Sequence, residues 1–451
     1  MSTALIILAA GMGTRMNSDL PKVLHQIAGA PMVVHAMKSG ASLTPERTVI
    51  VTGHGSDLVE KAARDWDEDT LFALQAEQKG TAHAVAQARP ALEGFAGDAI
   101  VLYGDTPFIR PETLESMTKA RADHDVVILG FEATDPGRYG RLVMNGDALE
   151  RIVEFKDATD KERAITLCNS GVVCANSDTL FSLIDDVGNN NAAGEYYLTD
   201  IVALARARGL SATAVVCDES ETLGVNSRAE LAAAEAAFQA RARAELMEDG
   251  VTLIAPETVF VSHDTVIGRD TIIEPNVFFG PEVTVESHAR IRAFSHFEGC
   301  HISQRANVGP FARLRPGAEL AEDVRIGNFV EVKNAIIDEG AKINHLSYVG
   351  DAHVGAAANI GAGTIVCNYD GVMKHHTEIG PRAFIGSNTM LVAPVTVGRD
   401  AMTASGSIIT SDVPAEALAI ARAKQVNKPG LAVKLFGILK KQKEKRDKGA
   451  G

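Results

Sequence analysis

The sequence predicts two units in series: an α/β unit with a Rossmann-like, mostly parallel sheet, then a left-handed parallel β-helix of hexapeptide repeats. Three observations point there. Short continuous apolar runs alternate with helix-like stretches up to residue 226. After Gly250 apolar residues recur at every sixth position. The 451 residues include 40 Gly but only 16 Phe, 6 Tyr and 1 Trp, so small and branched side chains must fill the core.

In the first unit the runs are Ala4-Leu-Ile-Ile-Leu-Ala-Ala10, Thr48-Val-Ile-Val51, Ala99-Ile-Val-Leu-Tyr103 and Val126-Val-Ile-Leu129. Each is bounded by Gly, Asp or Asn, the mark of strands buried on both faces. Segments such as Thr81-Ala-His-Ala-Val-Ala-Gln-Ala-Arg89 lie between them and read as helix. Strand and helix alternating at this spacing predict a parallel sheet. The first unit is therefore taken as residues 1–226.

Residues 227–249 read as one linking helix. Ser227-Arg-Ala-Glu230 has the form of a capping box, and Leu231, Phe238 and Leu246 fall roughly on one stripe.

From 250 to 451 the period is six. It runs Ile267, Ile273, Phe279, Val285, Ile291, Phe297, then slips by one to Ile302, Val308, Leu314, Leu320, Ile326, Val332. It continues at Ile337, Ile343, Val349, at Val354, Ile360, Val366, and at Ile379, Ile385, Leu391, Val397, Thr403, Ile409. Six is neither the helical period nor that of a simple strand. It is the hexapeptide repeat of a parallel β-helix, with one inward apolar residue per short strand and small residues at the corners. Three hexapeptides make one coil, so the stack is about eight coils and roughly 40 Å long at ~4.8 Å per coil. The one large break requires residues 368–376 to protrude as a loop. From Lys424 onward the chain is basic, and such a charge run reads as a solvated, frayed end.

Composition excludes several classes of function. Hydrophobic residues at 46% and charged residues at 23% describe a globular chain. A net charge of −14 argues against a broad nucleic-acid-binding face. The five cysteines, 168, 174, 217, 300 and 367, show no CxxC spacing, which suits reduced thiols rather than a disulfide framework or zinc site. The run Ala4–Ala10 is too short to span a bilayer and lacks a basic flank. The expected location is the cytoplasm.

The chemistry of the first unit centres on Gly11-Met-Gly13-Thr-Arg15-Met, directly after the first strand. Backbone amides in such a turn can meet phosphates. The third Gly of a dinucleotide fingerprint is replaced by Met16, and no GxxxxGK[ST] exists, so a P-loop is excluded. Arg15 and Lys22 add two cations beside the Gly-rich turn, which suits a triphosphate. Tyr103-Gly-Asp105 ends another buried strand, at the sheet edge where open α/β folds hold ligands. Asp105 there is a candidate hard oxygen ligand for Mg²⁺, the alternative being a helix N-cap.

These residues resemble the signature of sugar-1-phosphate nucleotidyltransferases: Leu8-Ala-Ala-Gly11-Met-Gly-Thr-Arg15-Met with Pro21-Lys22-Val-Leu. Gln75-Ala-Glu-Gln-Lys-Gly80-Thr81, Tyr103-Gly-Asp105, Tyr139-Gly140-Arg, Ile152-Val-Glu154-Phe-Lys-Asp157, Asn169-Ser-Gly171 and Gly224-Val-Asn226 follow in order. With the six-residue repeats, the chain from about residue 4 to Arg422 resembles one family, the bifunctional N-acetylglucosamine-1-phosphate uridyltransferases/glucosamine-1-phosphate N-acetyltransferases. The resemblance implies that uracil lies at Ala10-Gly11, Gln75 and Gly80-Thr81, and phosphates at Arg15 and Lys22. It implies Mg²⁺ between Asp105 and Asn226, and the sugar at Gly140, Glu154 and Asn169. Leu8, Ala9, Tyr103 and Gly104 complete that nucleotide site. Ala82, Ser170 and Ser227 depart from the family pattern, each small for small.

In the second unit, strand alternation turns Arg315, Glu331, Lys333, Tyr348 and Asn359 outward from inward neighbours, with His345 at a corner. Any one of them alone reads as solvated surface. The resemblance makes the set an amino-sugar-phosphate site, with Arg315 and Lys333 on the phosphate and Tyr348 and Asn359 beside the sugar. His345 would be the general base, a role suited to an imidazole, and Glu331 would orient or assist it. Acetyl-CoA would lie by Ala362, Asn368, Tyr369, Ser387, Ser405 and Arg422, with Ser405 where the family more commonly has Ala. An outer prism face is convex, so the resemblance implies a homotrimer with acetyl-transfer sites between subunits. Its small-molecule substrates would be glucosamine 1-phosphate, acetyl-CoA, UTP and N-acetylglucosamine 1-phosphate, and its product would feed peptidoglycan and lipopolysaccharide synthesis. His345, His353 and the pair His375-His376 leave a zinc site between chains conceivable. Two other readings remain open: a single-function nucleotidyltransferase with a structural β-helix, and a non-catalytic scaffold.

Overall fold

The computed structural model describes residues 2–449, which fall into two compact units. The first takes in the chain up to Asp249 together with 256–265 and 279–282; the remaining residues form the second.

Nine strands build the sheet of the first unit: β1 (Thr3–Ala9), β2 (Arg47–Thr52), β3 (Leu71–Leu74), β4 (Asp98–Tyr103), β5 (Val126–Glu132), β6 (Arg141–Asn145), β7 (Ala148–Val153), β8 (Leu167–Asn176) and β9 (Ala212–Cys217). Their order is β9-β5-β8-β4-β1-β2-β3, with β6 against β8 and β7 against β6. The four apolar runs are β1, β2, β4 and β5. In β1, Ala4, Ile6 and Leu8 enter the core on one face, while Leu5, Ile7 and Ala9 enter the other. Burial on both faces is why the run is continuously apolar. The pairs β1–β2, β1–β4, β2–β3 and β5–β9 are parallel. Along that path β8 reverses, antiparallel to both β4 and β5, and the off-path pairs β8–β6 and β6–β7 are antiparallel too.

The register of β8 shifts between Asn169 and Val173. Gly171 sits in that bulge with φ 94°, and a Cβ there would come within 2.6 Å of the Tyr103 ring. A glycine is needed for both the dihedral and the close approach. The bulge thus sets Asn169 beside the end of β4.

The linking helix spans Arg228–Glu248 and is capped by Ser227, whose Oγ accepts from the Glu230 amide at 3.3 Å. Glu230 does not close the reciprocal box. Its carboxylate reaches past Ser227 and accepts from the amide of Asn226 at 2.6 Å. Leu231 and Phe238 pack against Ile27, Met32, Phe108 and Val225.

In the second unit the six-residue phase holds throughout: no inward position from Ile267 to Ile409 is more than 7% exposed. The one polar member, Thr403, is buried with its Oγ1 accepting from the Gly386 amide at 3.0 Å. One face is a ten-stranded parallel sheet running from Thr252–Leu253 to Leu418–Ala419. The other two faces are joined by Glu331–Ile337 and Tyr348–Val354, seven-residue strands that turn a corner without interruption. Leu314, Val332 and Val349 stack in register through the coils. Not every corner is small. Phe294, Phe311 and Phe329 take positive φ and stack ring on ring, half exposed on the outside of the coil.

Residues 368–376 protrude, closed by a bridge between Tyr369 and Lys374, with Val372 and Met373 exposed at the tip. The basic tail is not frayed where it is described: Leu431–Gly449 is helical. Apolar residues between 431 and 439 at helical spacing give the basic run a helix to extend. Among the described residues no helix is long and apolar enough to cross a membrane.

Candidate active sites

Beyond the carboxyl ends of β1 and β4 lies a cavity of about 340 Å³, lined among others by Ala10, Gly11, Lys22, Gln75, Thr81 and Asp105. The loop after β1 carries Gly13 at φ 61°, where a Cβ would lie 2.5 Å from that of Lys22. The loop therefore presses directly on the lysine stem. Lys22 is buried, and its ammonium is paired with the Asp105 carboxylate. It also donates to Asn226 Oδ1 at 3.0 Å. Two hard oxygens thus already share one cation, and the amide of Asn226 is fixed by Glu230. Arg15 stands exposed on the adjoining turn Thr14–Met16.

The opposite wall is held by amide contacts. Gln75 is buried and donates from Nε2 to the Gly80 carbonyl at 3.2 Å. Gln78 donates to the Ala10 carbonyl at 2.6 Å, tying the two candidate base-binding segments together. Sequence reasoning did not single out Gln78, although it lies within the quoted motif. The Tyr103 phenol is held far above its ordinary pKa, first by burial and then by Asp105 and Glu154. It stays neutral and shares a hydrogen bond with Thr81.

Gly140, Glu154 and Asn169 come together as one wall. The Asn169 amide donates to the Gly140 carbonyl at 2.8 Å, and a Cβ at Gly140 would lie 3.4 Å from Glu154 Oε1. Burial raises the Glu154 pKa against the opposing Thr199 hydroxyl bond of 3.3 Å. Such a carboxylate is poised to accept hydrogen bonds from a sugar hydroxyl.

On the β-helix the candidate residues fall into two groups. Arg315 donates to Glu331 at 2.9 Å, and Arg313 lies 3.8 Å from the same carboxylate. Lys333 follows Val332, which stacks on Leu314. Its pKa is lowered first by the ammonium of Lys374, which reaches over from the protruding loop, with burial and Arg315 adding to the effect. Arg315, Lys333 and Lys374 thus bring three cations together, offset by the carboxylates of Glu331 and Asp351. Lys374 was missed from sequence because loop residues carry no repeat phase. Tyr348 adjoins this group through Asn368, whose Nδ2 lies 3.4 Å from the tyrosine oxygen and also pairs with Asp351.

His345 and Asn359 lie on strands of the ten-stranded face, apart from the strand carrying Lys333. His345 is exposed beside a groove of about 310 Å³ shared with Arg292, Asn307 and Asn328. Its Nδ1 lies 2.8 Å from Asn328 Oδ1. A neutral ring that donates from Nδ1 to this amide oxygen presents its Nε2 lone pair. Asn328, one coil below in register, is thus the residue bonded to the His345 ring, while Glu331 bonds Arg315.

Of the remaining candidates, Arg422 donates to the Ser405 carbonyl at 2.7 Å. The carbonyls of Ala362 and Ser387 accept from Asn388 and Gly406 in the next coil up. Ala362, Ser387 and Ser405 therefore stand one above another, while Tyr369 is exposed on the loop. His353 is held between Asp338 at 2.8 Å and Glu378 at 2.7 Å.

The sequence model of the MobA-like NTP transferase domain family matches residues 5–170. Over its whole length the chain is similar to proteins named Bifunctional protein GlmU. The one from Cereibacter sphaeroides (strain ATCC 17025 / ATH 2.4.3) is 68% identical over 448 residues, covering 99% of each chain. That from Ruegeria sp. (strain TM1040) is 68% identical over 449 residues, covering 100% of each. That from Ruegeria pomeroyi is 70% identical over 448 residues, covering 99% of this chain and 100% of the relative. Because identity at this level runs through both units, the chain belongs to the bifunctional GlmU family.

Proposed function

We propose that the chain makes UDP-N-acetylglucosamine in two steps at two separate sites. In the β-helix the amine of glucosamine 1-phosphate attacks the thioester of acetyl-CoA, forming the amide and releasing CoA thiol. In the α/β unit the phosphate of N-acetylglucosamine 1-phosphate attacks the α-phosphorus of UTP in line, and pyrophosphate leaves. The observation that carries the reading is Lys22 bracketed by Asp105 and Asn226 at the sheet's carboxyl edge.

That nucleophile is already anionic, so the first unit needs no general base. Its work is positioning and neutralisation of charge on the phosphates. Lys22 and Arg15 supply cations, Gln75, Gly80 and Thr81 line the base position, and Gly140, Glu154 and Asn169 hold the sugar. Asp105 and Asn226 have the hard-oxygen chemistry to hold Mg²⁺, which supplies further neutralisation of the triphosphate when bound.

In the second unit His345 Nε2 takes the proton from the attacking amine, with Asn328 fixing the tautomer. Arg315, Lys333 and Lys374 hold the sugar phosphate, while Tyr348 and Asn359 face the sugar. Acetyl-CoA lies along Ala362, Ser387 and Ser405 toward Arg422, with Asn368 and Tyr369 at its acyl end. His345 and the cation cluster lie on different strands of one convex coil, which favours a site closed by a second subunit in a homotrimer. A monomer with full acetyltransferase activity, by light scattering of the assayed sample, would contradict the trimer. The cytoplasm is the compartment that fits these substrates.

The reading is tested by supplying glucosamine 1-phosphate, acetyl-CoA, UTP and Mg²⁺ while measuring CoA thiol and pyrophosphate. Both are expected, with pyrophosphate release depending on acetyl-CoA. Pyrophosphate from added N-acetylglucosamine 1-phosphate without any thiol release would favour the single-function alternative.

A further inference from the structure

The helix Leu431–Gly449 carries none of the candidate residues of either site. Its first nine residues are almost all apolar, yet Leu431, Leu435, Phe436, Ile438 and Leu439 are all exposed. At 3.6 residues per turn, Leu431, Leu435, Ile438 and Leu439 share one side with Ala432 and Phe436. Lys434, Gly437 and Lys441 fall on the opposite side, spaced three and four apart. Over the first three turns the helix thus carries an apolar arc, with Val433 exposed outside it, and further along Lys443 and Arg446 continue the arc's side as cations.

The second half of the helix is charged in one sense. The segment holds Lys434, Lys440, Lys441, Lys443, Lys445, Arg446 and Lys448 against Glu444 and Asp447. That is a strong positive excess on a chain whose net charge is −14. An apolar arc continuous with a cationic run is the pattern of a helix lying in a lipid interface, its apolar side in the acyl boundary and its Lys and Arg among anionic headgroups. We propose that this helix docks the enzyme on an anionic bilayer surface, lying in the interface plane.

Charge disfavours the other occupants. Helices of identical copies packed in parallel would bring their Lys-rich halves to one level, where like charges repel. A nucleic acid would use the Lys and Arg but has no place for the side chains of Leu435, Phe436 and Leu439. The chain also lacks a spanning helix among its described residues, so any membrane contact by helix is peripheral.

The full-length protein is tested by co-sedimentation with vesicles of phosphatidylcholine alone and of phosphatidylcholine mixed with phosphatidylglycerol. Binding is expected to the mixed vesicles, to weaken with added salt, and to be small on phosphatidylcholine. Two variants separate the contributions: Leu435→Asp with Leu439→Asp, and Lys440→Gln with Lys441→Gln and Lys443→Gln. Each should lower partitioning about tenfold or more, with both enzymatic activities unchanged because the helix carries none of the candidate residues of either site. Equal sedimentation with the two vesicle types, or none with either, would overturn the proposal. So would an aspartate variant that binds like the wild type, since the apolar arc would then be idle. Loss of an oligomer in that variant without vesicles would assign the face to a second copy. Retention of a short RNA that the aspartate substitutions do not weaken would assign it to nucleic acid.

Discussion

Lys22 Nζ donates to Asn226 Oδ1 at 3.0 Å across a sequence separation of 204 residues. One ammonium thereby joins the loop after the first strand to the residue before the cap of the linking helix. Its other partner, Asp105, lies two residues past the end of β4, the strand next to β1. Lys22→Ala should lower kcat/KM for uridylyl transfer by about 10²–10³, the range for removing one preorganised charge partner. Acetyl transfer should be untouched. Asp105→Ala should abolish uridylyl transfer, and full retained activity with Mg²⁺ would sink the metal assignment.

Gly13 shapes the same pocket by what it lacks. An alanine there meets both a positive φ and a Cβ contact of 2.5 Å with Lys22. Gly13→Ala should shift the lysine and raise KM for UTP about tenfold. Steady-state kinetics at saturating sugar phosphate check it, and an unchanged KM would mean that the loop relaxes freely.

Lys374 is placed by the loop against Lys333. If the cluster holds the sugar phosphate, Lys374→Ala should raise KM for glucosamine 1-phosphate about tenfold or more, leaving KM for UTP as it was. The two KM values measured on one preparation decide the matter. A rise in both would point to general destabilisation.

His35 makes the first unit acid-sensitive. Its ring is buried, bonded to the Ile27 carbonyl at 2.8 Å and edge-on to Phe238. Burial pushes its pKa from 6.5 down to about 4, and Lys38, His263 and Arg241 add positive charge nearby. Above pH 6.5 the ring is neutral folded or unfolded. Below that the unfolded chain takes a proton that the folded one refuses, so stability falls from about pH 6.5 to about pH 4. The loss approaches about 3 kcal/mol at the bottom of that window. Urea unfolding followed through Trp66, the chain's one tryptophan, should show this slope, and His35→Gln should flatten it.

Much of this was legible in the residues because local chemistry dictated it. The inward positions from Ile267 to Ile409 had to be apolar at every sixth place, since each strand turns one side chain inward per face. Strands β1, β2, β4 and β5 announced themselves because burial on both faces leaves no polar alternation. Other features rest on contacts distant in sequence and left no local trace. The reversal of β8 depends on which neighbours it finds, and Lys374 acquires its place only when the loop folds onto Lys333. Asn328 gains its place beside His345 from coil stacking, 17 residues away. Glu230 fits a capping box by spacing, yet serves Asn226, a choice that only the local path of the chain reveals. The tail read as frayed because its charges dominate, while the apolar arc before them is visible only once the helix is formed.

The most direct test of two separate active sites in one chain is complementation. Asp105→Ala should convert glucosamine 1-phosphate and acetyl-CoA to N-acetylglucosamine 1-phosphate without releasing pyrophosphate, and His345→Ala should do the reverse when given that intermediate. Mixed together with UTP and Mg²⁺, the two variants should restore UDP-N-acetylglucosamine formation from glucosamine 1-phosphate, with the intermediate passing through solution. If the mixture stays inactive although each variant retains its own half-reaction, or if either substitution silences both halves, two independent sites are contradicted.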